Sequence, residues 1–489
     1  MNQPPAAPSQ ANDLDARFQR ALTWHRQGDW PQALLAYRAV LELAPGHFDA
    51  LRLLGILQVQ QGEHQSAIET LQRALQIDAT QADLHFNLGT ALHLLRRLDA
   101  ARLCYLQALQ RQPEHHQALY NLGLVLYELH RPAEALAYYD RALQLKPDSI
   151  EALCNYGQAL QALNQLDGAL ACYTRALQLQ PDLALAHWNS GLCRLLRGEF
   201  ELGWQHYEWG RVCGQRGPQR IFEAPLWLGE QSLQGKSILL HAEQGLGDTL
   251  QFCRYAPLVA ALGATVWLEV QAPLQVLLSQ LPGVTGVIAQ GDALPHFDYH
   301  CPLLSLPLAF RTRLETIPSQ AAYLHADPDK IARWSTYPAS SQQPLIGIAW
   351  SGNPTHRHDQ LRSIPLAQWA PLFALNARFV CLQTALRDSD HELLQQFKIL
   401  NPAQDLHDFS DTAALLACID HVITVDTSIA HLAGALGKPT TLLLPYAADF
   451  RWLLERGDSP WYPSLRLIRQ SAVGVWDDVI EQARHLPAG

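Results

Sequence analysis

The stretch 425–437 has the residue types and the order needed to bind an anion. It follows an apolar run rich in β-branched residues, and its small-residue continuation closes at Gly437. Asp426, Thr427 and Ser428 are all favoured at helix N-caps. Backbone N–H groups at a helix start bind phosphate, and ligands of α/β sheets lie beyond the strand ends. The sequence therefore predicts a phosphate site at Asp426, Thr427 and Ser428. His431, on the second helical turn, either contacts the ligand or packs against the sheet.

A glycine-rich turn, Gly245-x-Gly247-Asp248, follows another apolar run. It is neither a Walker A motif nor a complete dinucleotide-binding fingerprint, because the required Gly-Lys-Ser/Thr and third glycine are absent. Glycines let a ligand approach the backbone, so Gln244, Gly245 and Gly247 are candidate cleft contacts. Asp248 is either a general base that takes a proton from an acceptor nucleophile or an N-cap of the following helix.

The loop 351–362 is rich in potential cations, with Arg357 and Arg362 as candidates for phosphate binding. Guanidinium groups donate paired hydrogen bonds to phosphate oxygens. Asn353 is a further candidate contact, and a solvated surface loop is the alternative reading. His356-x-His358 beside Asp359 has low specificity as a metal motif, so we expect no metal and no cofactor.

Alternating apolar runs and helical patterns predict a parallel α/β sheet in each of two halves. The first half is predicted at 237–326, the second at 345–489, and a Pro- and Ser-rich hinge at 327–344 joins them. Predicted strands are 237–242, 265–270, 284–289, 345–350, 379–383, 421–424 and 440–444. Predicted helices are 249–262, 272–281, 365–375, 411–419 and 475–485.

The N-terminal part repeats every 34 residues. Glycines stand at 55, 89, 123, 157 and 191, and alanines at 33, 67, 101, 135 and 169. This period and its small residues resemble the tetratricopeptide family over 14–210. The resemblance implies an α-solenoid whose groove binds a protein partner or acceptor; a scaffold or dimerisation arm is the alternative. Aromatic residues at 204–209 are expected to cap the last repeat by packing. Residues 1–13 are expected to be disordered, and 211–236 to form a connector.

Composition limits the classes of function. The chain has 489 residues, 48% hydrophobic and 17% charged residues, and a net charge of −10. The acidic balance argues against a general nucleic-acid binder, which needs a basic face. Nine cysteines without CxxC pairs are typical of buried thiols in a reducing compartment. We see no signal peptide and no apolar run long enough for a transmembrane helix, so a cytoplasmic location is expected.

Three motifs together resemble glycosyltransferase family 9, the family of the lipopolysaccharide heptosyltransferases: GLGD at 245–248, RSIPLAQW at 362–369 and VDTSIAHLAGAL at 425–436. The resemblance, over 236–468, implies a GT-B fold of two Rossmann-type halves, a nucleotide-sugar donor, inversion and no required metal. It implies that Asp248 is the base, that Arg362 contacts donor phosphate where the family has Lys, and that Asp426, Thr427 and Ser428 bind donor phosphate. Ser428 replaces a family glycine.

The sequence thus favours an α-solenoid followed by α/β halves, in a glycosyltransferase acting on a protein or glycan acceptor. This layout is also similar to that of protein O-linked N-acetylglucosamine transferases. Two other functions stay open at this point. One is a catalytically silent scaffold whose repeats bind partners, and the other is a nucleotide-sugar epimerase with the same GT-B fold.

Overall fold

The computed structural model describes residues 10–335, 343–353 and 359–485, without the side chains of 10–12. The chain divides into two compact units, Met1–Pro181 and Asp182–Gly489. Among the described residues, none of the helices combines the length and the hydropathy that a bilayer-spanning segment requires.

The first unit is a series of helices joined by short turns, as tetratricopeptide repeats require. α1 begins at Gln10, four residues before the predicted start of the array. The helices are α1 Gln10–Gln27, α2 Trp30–Leu43, α3 Phe48–Gln60, α4 His64–Ile77, α5 Ala82–Leu94, α6 Leu98–Arg111, α7 His116–Glu128, α8 Pro132–Leu145, α9 Ile150–Ala162 and α10 Leu166–Leu179.

The repeated glycines of this unit make room for aromatic rings on the next helix. A Cβ built on Gly89, in α5, would lie 2.8 Å from the ring of Tyr105 in α6. Gly123 has the same relation to Tyr139 at 2.7 Å. Both tyrosines are fully buried. The 34-residue pattern therefore encodes close approach of paired helices, which confirms the solenoid prediction.

We expect Gly123→Val to destabilise the first unit by about 1–3 kcal/mol, because the added side chain overpacks a fully buried ring. The measurement is urea unfolding followed by circular dichroism. Gly46→Ala is the control, since a Cβ there has no atom within 4 Å. Equal unfolding midpoints for the two variants would contradict this account of the repeat glycines.

The second unit opens with further helices, α11 Ala184–Leu196, α12 Phe200–Tyr207 and α13 Trp209–Val212. Trp204 in α12 is only 1% exposed. Its ring lies 6.4 Å from Phe252, 5.8 Å from Phe450 and 6.4 Å from Trp461, measured between centroids. Trp204 therefore packs within the second unit, in agreement with the predicted packing role.

Two parallel sheets follow. The first contains β1 Ser237–His241, β2 Thr265–Val270, β3 Val284–Ala289 and β4 Tyr299–Pro302, in the order β3-β2-β1-β4. The second contains β5 Leu345–Ala349, β6 Arg378–Cys381, β7 His421–Val425, β8 Thr440–Leu444 and β9 Leu465–Arg469, in the order β6-β5-β7-β8-β9. All pairings are parallel. The architecture is an α-solenoid followed by α/β halves consistent with GT-B.

The helices of these halves are short. They are α14 Leu246–Phe252, α15 Ala256–Ala261, α16 Gln275–Leu278, α17 Leu306–Ala309, α18 Pro328–Trp334, α19 Asp359–Arg362, α20 Asp388–Gln396, α21 Phe409–Ala417, α22 Ser428–Ala435 and α23 Asp477–Ala483. 3₁₀ turns occupy Cys253–Tyr255, Ala272–Leu274, Leu303–Ser305, Leu314–Thr316, Leu366–Ala374, Ala403–Asp405 and Phe450–Trp452.

Several element predictions were wrong. The single helix expected at 249–262 is two helices separated by a 3₁₀ turn, where Pro257 has no N–H for a continuous ladder. The helix expected at 365–375 is 3₁₀ and contains Pro371. The predicted hinge contains α18, whose Lys330 pairs with Asp411 at 2.9 Å. β4 and β9 were not predicted.

Candidate active site

The strand order places a ligand crevice in the second sheet between β5 and β7. The chain leaves β5 toward β6 on one side and returns to β7 on the other, which makes this gap a topological switch point. Trp350, Ser351 and Gly352 follow β5, and the predicted phosphate turn follows β7. The predicted turn and the crevice therefore coincide.

The phosphate turn is capped by Thr427, not by Asp426. The Thr427 hydroxyl accepts a hydrogen bond from the Ile429 N–H at 3.3 Å, and Ser428 is the first residue of α22. The Asp426 carboxylate instead accepts from the Trp452 indole N–H at 2.9 Å. Asp426 is a residue type favoured at N-caps, but it does not cap this helix, because its side chain turns toward the tail of the chain.

Asp426 lies in an environment that disfavours its charge. Burial, followed by repulsion from Asp449, raises its pKa to about 6, although the Trp452 hydrogen bond, Arg362 and Arg451 act in the opposite direction. Its side chain is 14% exposed. The ionised form of Asp426 therefore destabilises the folded state, and it lies in the turn predicted to bind phosphate.

We expect Asp426→Asn to raise the free energy of unfolding at pH 8 by about 1–3 kcal/mol. The variant removes a buried carboxylate whose raised pKa destabilises the folded state, and each pKa unit corresponds to about 1.4 kcal/mol. The folded state binds the Asp426 proton more tightly than the unfolded state does. The wild type therefore loses stability as the pH rises from about 4 to about 6 and does not regain it above that. Urea unfolding at pH 5 and pH 8 checks this: the advantage of the variant should shrink at pH 5. A variant less stable than wild type at both values would contradict it.

Arg362 lies over the backbone that follows β5. A Cβ on Gly352 would be 2.8 Å from the Arg362 Nη2 atom. Arg362 Nε is 3.8 Å from the Asp359 carboxylate, and this buried nitrogen makes no hydrogen bond to any described residue. Ser363 fixes the loop, because its hydroxyl accepts from the Gly352 N–H at 3.1 Å and donates to Asp359 at 2.8 Å.

Two other loop candidates have different outcomes. Asn353 is exposed directly after Gly352, at the mouth of the same crevice. Arg357 lies outside the described residues, together with the His356 and His358 pair. Among the side chains that the structure describes, no group of three or more His, Cys, Asp or Glu residues has the arrangement of a metal site.

Asp248 in the first half is held by groups from both halves. One carboxylate oxygen accepts from the Gly245 N–H at 2.8 Å, the helix-capping arrangement. The other oxygen is ion-paired with the Arg451 guanidinium of the second half. The side chain is 19% exposed. A carboxylate has about four lone-pair positions, so these two contacts leave capacity to accept an acceptor proton. Asp248 is therefore both a cap and a base candidate.

Gly247 makes room for a side chain of the opposite half. A Cβ there would lie 2.6 Å from the imidazole of His431 in α22. His431 fills the space on the Cβ side of Gly247, so the missing side chain serves the packing of the two halves, and Gly247 stays a candidate cleft contact. A Cβ built on Gly245 would lie 3.3 Å from a carboxylate oxygen of Asp248, which belongs to the same turn. The starts of α14 and α22 thus lie close together.

His431 is a packed, neutral residue. It is 6% exposed, its Nδ1 is 2.9 Å from the Tyr462 hydroxyl, and its ring stacks on Trp452 with centroids 5.5 Å apart. Burial, and then the Arg451 and Arg254 charges, lower its pKa well below the usual 6.5. These contacts favour the packing interpretation of His431 over a charged contact with phosphate.

The connector covers the switch point of the first sheet, between β1 and β4. Arg216 is 1% exposed there and pairs with Glu208 at 2.8 Å and with Glu243. The side chain of Gln244, a candidate cleft residue, donates a hydrogen bond to the Gln215 carbonyl at 2.9 Å and so holds the connector in place. A small polar pocket remains beside His241.

Sequence reasoning did not identify Arg451 as a site residue. Its guanidinium nevertheless contacts Asp248 across the two halves. No local motif marks an arginine whose partner lies 203 residues away in the chain. The only available signal was its position between acidic and aromatic neighbours.

Family models match segments of both parts of the chain. The model of the tetratricopeptide repeat family matches residues 19–83 and 86–150, and a second repeat model matches 160–195. The model of glycosyltransferase family 9 (heptosyltransferase) matches residues 391–449. This match contains the phosphate turn, and Asp248 and Arg362 lie outside it.

One curated relative is Protein FlbA of Caulobacter vibrioides (strain ATCC 19089 / CIP 103742 / CB 15). It is 28% identical over an alignment of 322 residues that covers 60% of this chain and 53% of FlbA, so the chain spans about half the length of this relative. Among solved structures, the MamA protein is 26% identical over 35% of this chain and 93% of its own, with a TM-score of 0.33. PilF of Pseudomonas aeruginosa is 24% identical over 41% of this chain and 91% of its own, with a TM-score of 0.36.

Proposed function

We propose that this chain, which joins tetratricopeptide repeats to a glycosyltransferase family 9 domain, transfers a sugar from a nucleotide-sugar donor to a protein or glycan acceptor. One observation carries the proposal. The family 9 match includes the turn at the β5–β7 crevice, and the base candidate Asp248 of the opposite half is tied by Arg451 to a segment that also contacts this turn.

The proposed reaction is an in-line displacement with inversion at the anomeric carbon. The acceptor oxygen forms a bond to that carbon while the bond from the carbon to the diphosphate breaks. Asp248 takes the proton of the acceptor hydroxyl. The leaving diphosphate is stabilised by backbone N–H groups at the start of α22 and by Arg362, without a required metal. Thr427 and Ser428 are the proposed direct contacts, and Asp426 positions the turn.

The two halves would also limit hydrolysis of the donor. α14 and α22 pack against each other at Gly247 and His431, so the two halves are in contact beside the proposed site. Exclusion of water strengthens the electrostatic interactions with the diphosphate and protects the reacting carbon. The sugar transferred is proposed to be a hexose or heptose.

The repeats are proposed to hold the acceptor or a partner protein. Stacked helix pairs form a continuous groove, the usual binding surface of such arrays. A catalytically silent scaffold would use the same groove but would bind no donor. An epimerase of the same fold would convert a nucleotide sugar without any acceptor.

The test is release of nucleoside diphosphate from a panel of nucleotide sugars by the full chain, with and without candidate acceptors. The proposal expects release with one donor class, faster with acceptor. No binding and no release with any donor would favour the scaffold and overturn the proposal. Formation of an isomeric nucleotide sugar without acceptor would favour the epimerase.

A further inference from the structure

One short turn, Asp449–Trp452, contacts both sides of the candidate active site. Its Trp452 indole donates to Asp426 of the phosphate turn at 2.9 Å. Its Arg451 pairs with Asp248 of the first half. The Asp449 carboxylate closes the turn by accepting from the Arg451 N–H at 3.0 Å. The turn therefore sets the spacing between the base candidate and the phosphate turn.

Each of the three guanidinium nitrogens of Arg451 donates a hydrogen bond. Nη1 donates to Asp449 at 2.8 Å, Nε donates to the Gln251 side chain at 2.5 Å, and Nη2 donates to Asp248. Its carbon Cζ lies 4.5 Å from the centre of the Phe450 ring and 5.6 Å from that of Phe252. The side chain is 8% exposed. A buried cation with this many partners has one available position.

We propose that Arg451 is the positioning residue for Asp248, an inference that rests on the proposed function. Arg451 does not contact the donor in this account. It holds one Asp248 oxygen so that the remaining lone pairs face the acceptor, and it keeps the carboxylate at a fixed distance from the diphosphate. A misplacement of about 1 Å at a reacting group can cost about 100-fold in rate.

A second buried arginine, Arg254, serves as a control. It distinguishes a role in positioning Asp248 from a role in holding the two halves together. Arg254 is 4% exposed, donates to the Trp461 carbonyl at 2.7 Å and to the Tyr323 hydroxyl at 2.9 Å, and does not pair with Asp248. Like Arg451, it connects the first half to the tail of the chain. Its loss would loosen the same contact between halves without releasing the base candidate.

The experiment compares Arg451→Met, Arg451→Lys and Arg254→Met with wild type in nucleoside diphosphate release from the best donor. We expect Arg451→Met to lower kcat about 100-fold with the donor KM changed only a few-fold, and Arg451→Lys to recover part of the loss. Because Arg451 does not contact the donor in this account, the donor Kd of Arg451→Met should stay close to that of wild type. Arg254→Met should lower the Tm and leave kcat within a few-fold of the wild-type value.

The proposal is overturned if Arg451→Met keeps the wild-type kcat, or if Arg254→Met loses kcat to the same extent. If Arg451→Met does not fold, Arg451→Lys and Asp449→Asn carry the same test. Each must then lower kcat more than KM changes, and an unchanged kcat in both overturns the role. A wild-type chain without turnover would count against the proposed function itself and would be seen before any variant is compared.

Discussion

Asp248→Asn is expected to reduce sugar transfer by about 10²- to 10⁴-fold, the range that a positioned general base contributes. The asparagine keeps the shape of the side chain, but its one oxygen can accept from either the Gly245 N–H or the Arg451 guanidinium and not from both, as the two Asp248 oxygens do. The Tm should therefore fall, and the donor Kd should change little because Asp248 is not a proposed donor contact. The measurement is kcat for nucleoside diphosphate release with acceptor, together with the donor Kd.

Asp292→Asn is the matched control for this prediction. Asp292 belongs to the same half and is exposed. Its variant should keep the wild-type kcat. Equal turnover of wild type and Asp248→Asn would remove Asp248 as the base and leave it with only its capping role.

Arg362→Gln is expected to weaken donor binding about 10- to 100-fold, because a hydrogen bond to a charged group contributes about 1.5–3 kcal/mol. The Arg362 Nε atom has no hydrogen-bond partner among the described residues, and its nearest carboxylate, that of Asp359, lies 3.8 Å away. The substitution therefore costs no hydrogen bond of Nε within the described part of the chain. Arg362→Lys should retain part of the affinity, since it keeps the charge without the paired geometry.

Arg456→Gln controls for loss of a positive charge in the same half. Arg456 pairs with Asp458 at 2.6 Å, and its side chain is 34% exposed. Calorimetric titration of the donor into both variants gives the comparison. An equal change of the donor Kd in Arg362→Gln and Arg456→Gln would mean that Arg362 acts only through its charge at long range and makes no direct contact with the donor.

The parts of the fold that could be predicted were those with a local signal. The 34-residue period gave the repeats, and continuous apolar runs gave strands such as β2 and β3 at their observed bounds. β4 and β9 were not predicted, because strands of four and five residues between irregular segments show little periodicity in hydrophobicity. Pro257 and Pro371 interrupted predicted helices because a missing N–H weakens the helical ladder.

The site was predictable only where one motif carried it. The turn at Asp426 and Thr427 follows a strand and begins a helix, so its place at the sheet edge followed from local order. The relation of Gly247 to His431 and of Arg451 to Asp248 depends on how two halves pack. Such pairs are far apart in the chain, and one sequence has no local pattern that records them.

The measurement that tests the central claim most directly is thermal unfolding of the full chain with a panel of nucleoside diphosphates. The account predicts that one of them raises the Tm of wild type by several degrees, since ligand at about 100 times Kd adds about 2.7 kcal/mol. It also predicts a much smaller rise in Arg362→Gln and an undiminished rise in Arg456→Gln. No rise with any nucleotide, or an equal rise in all three proteins, would contradict a donor site at the β5–β7 crevice.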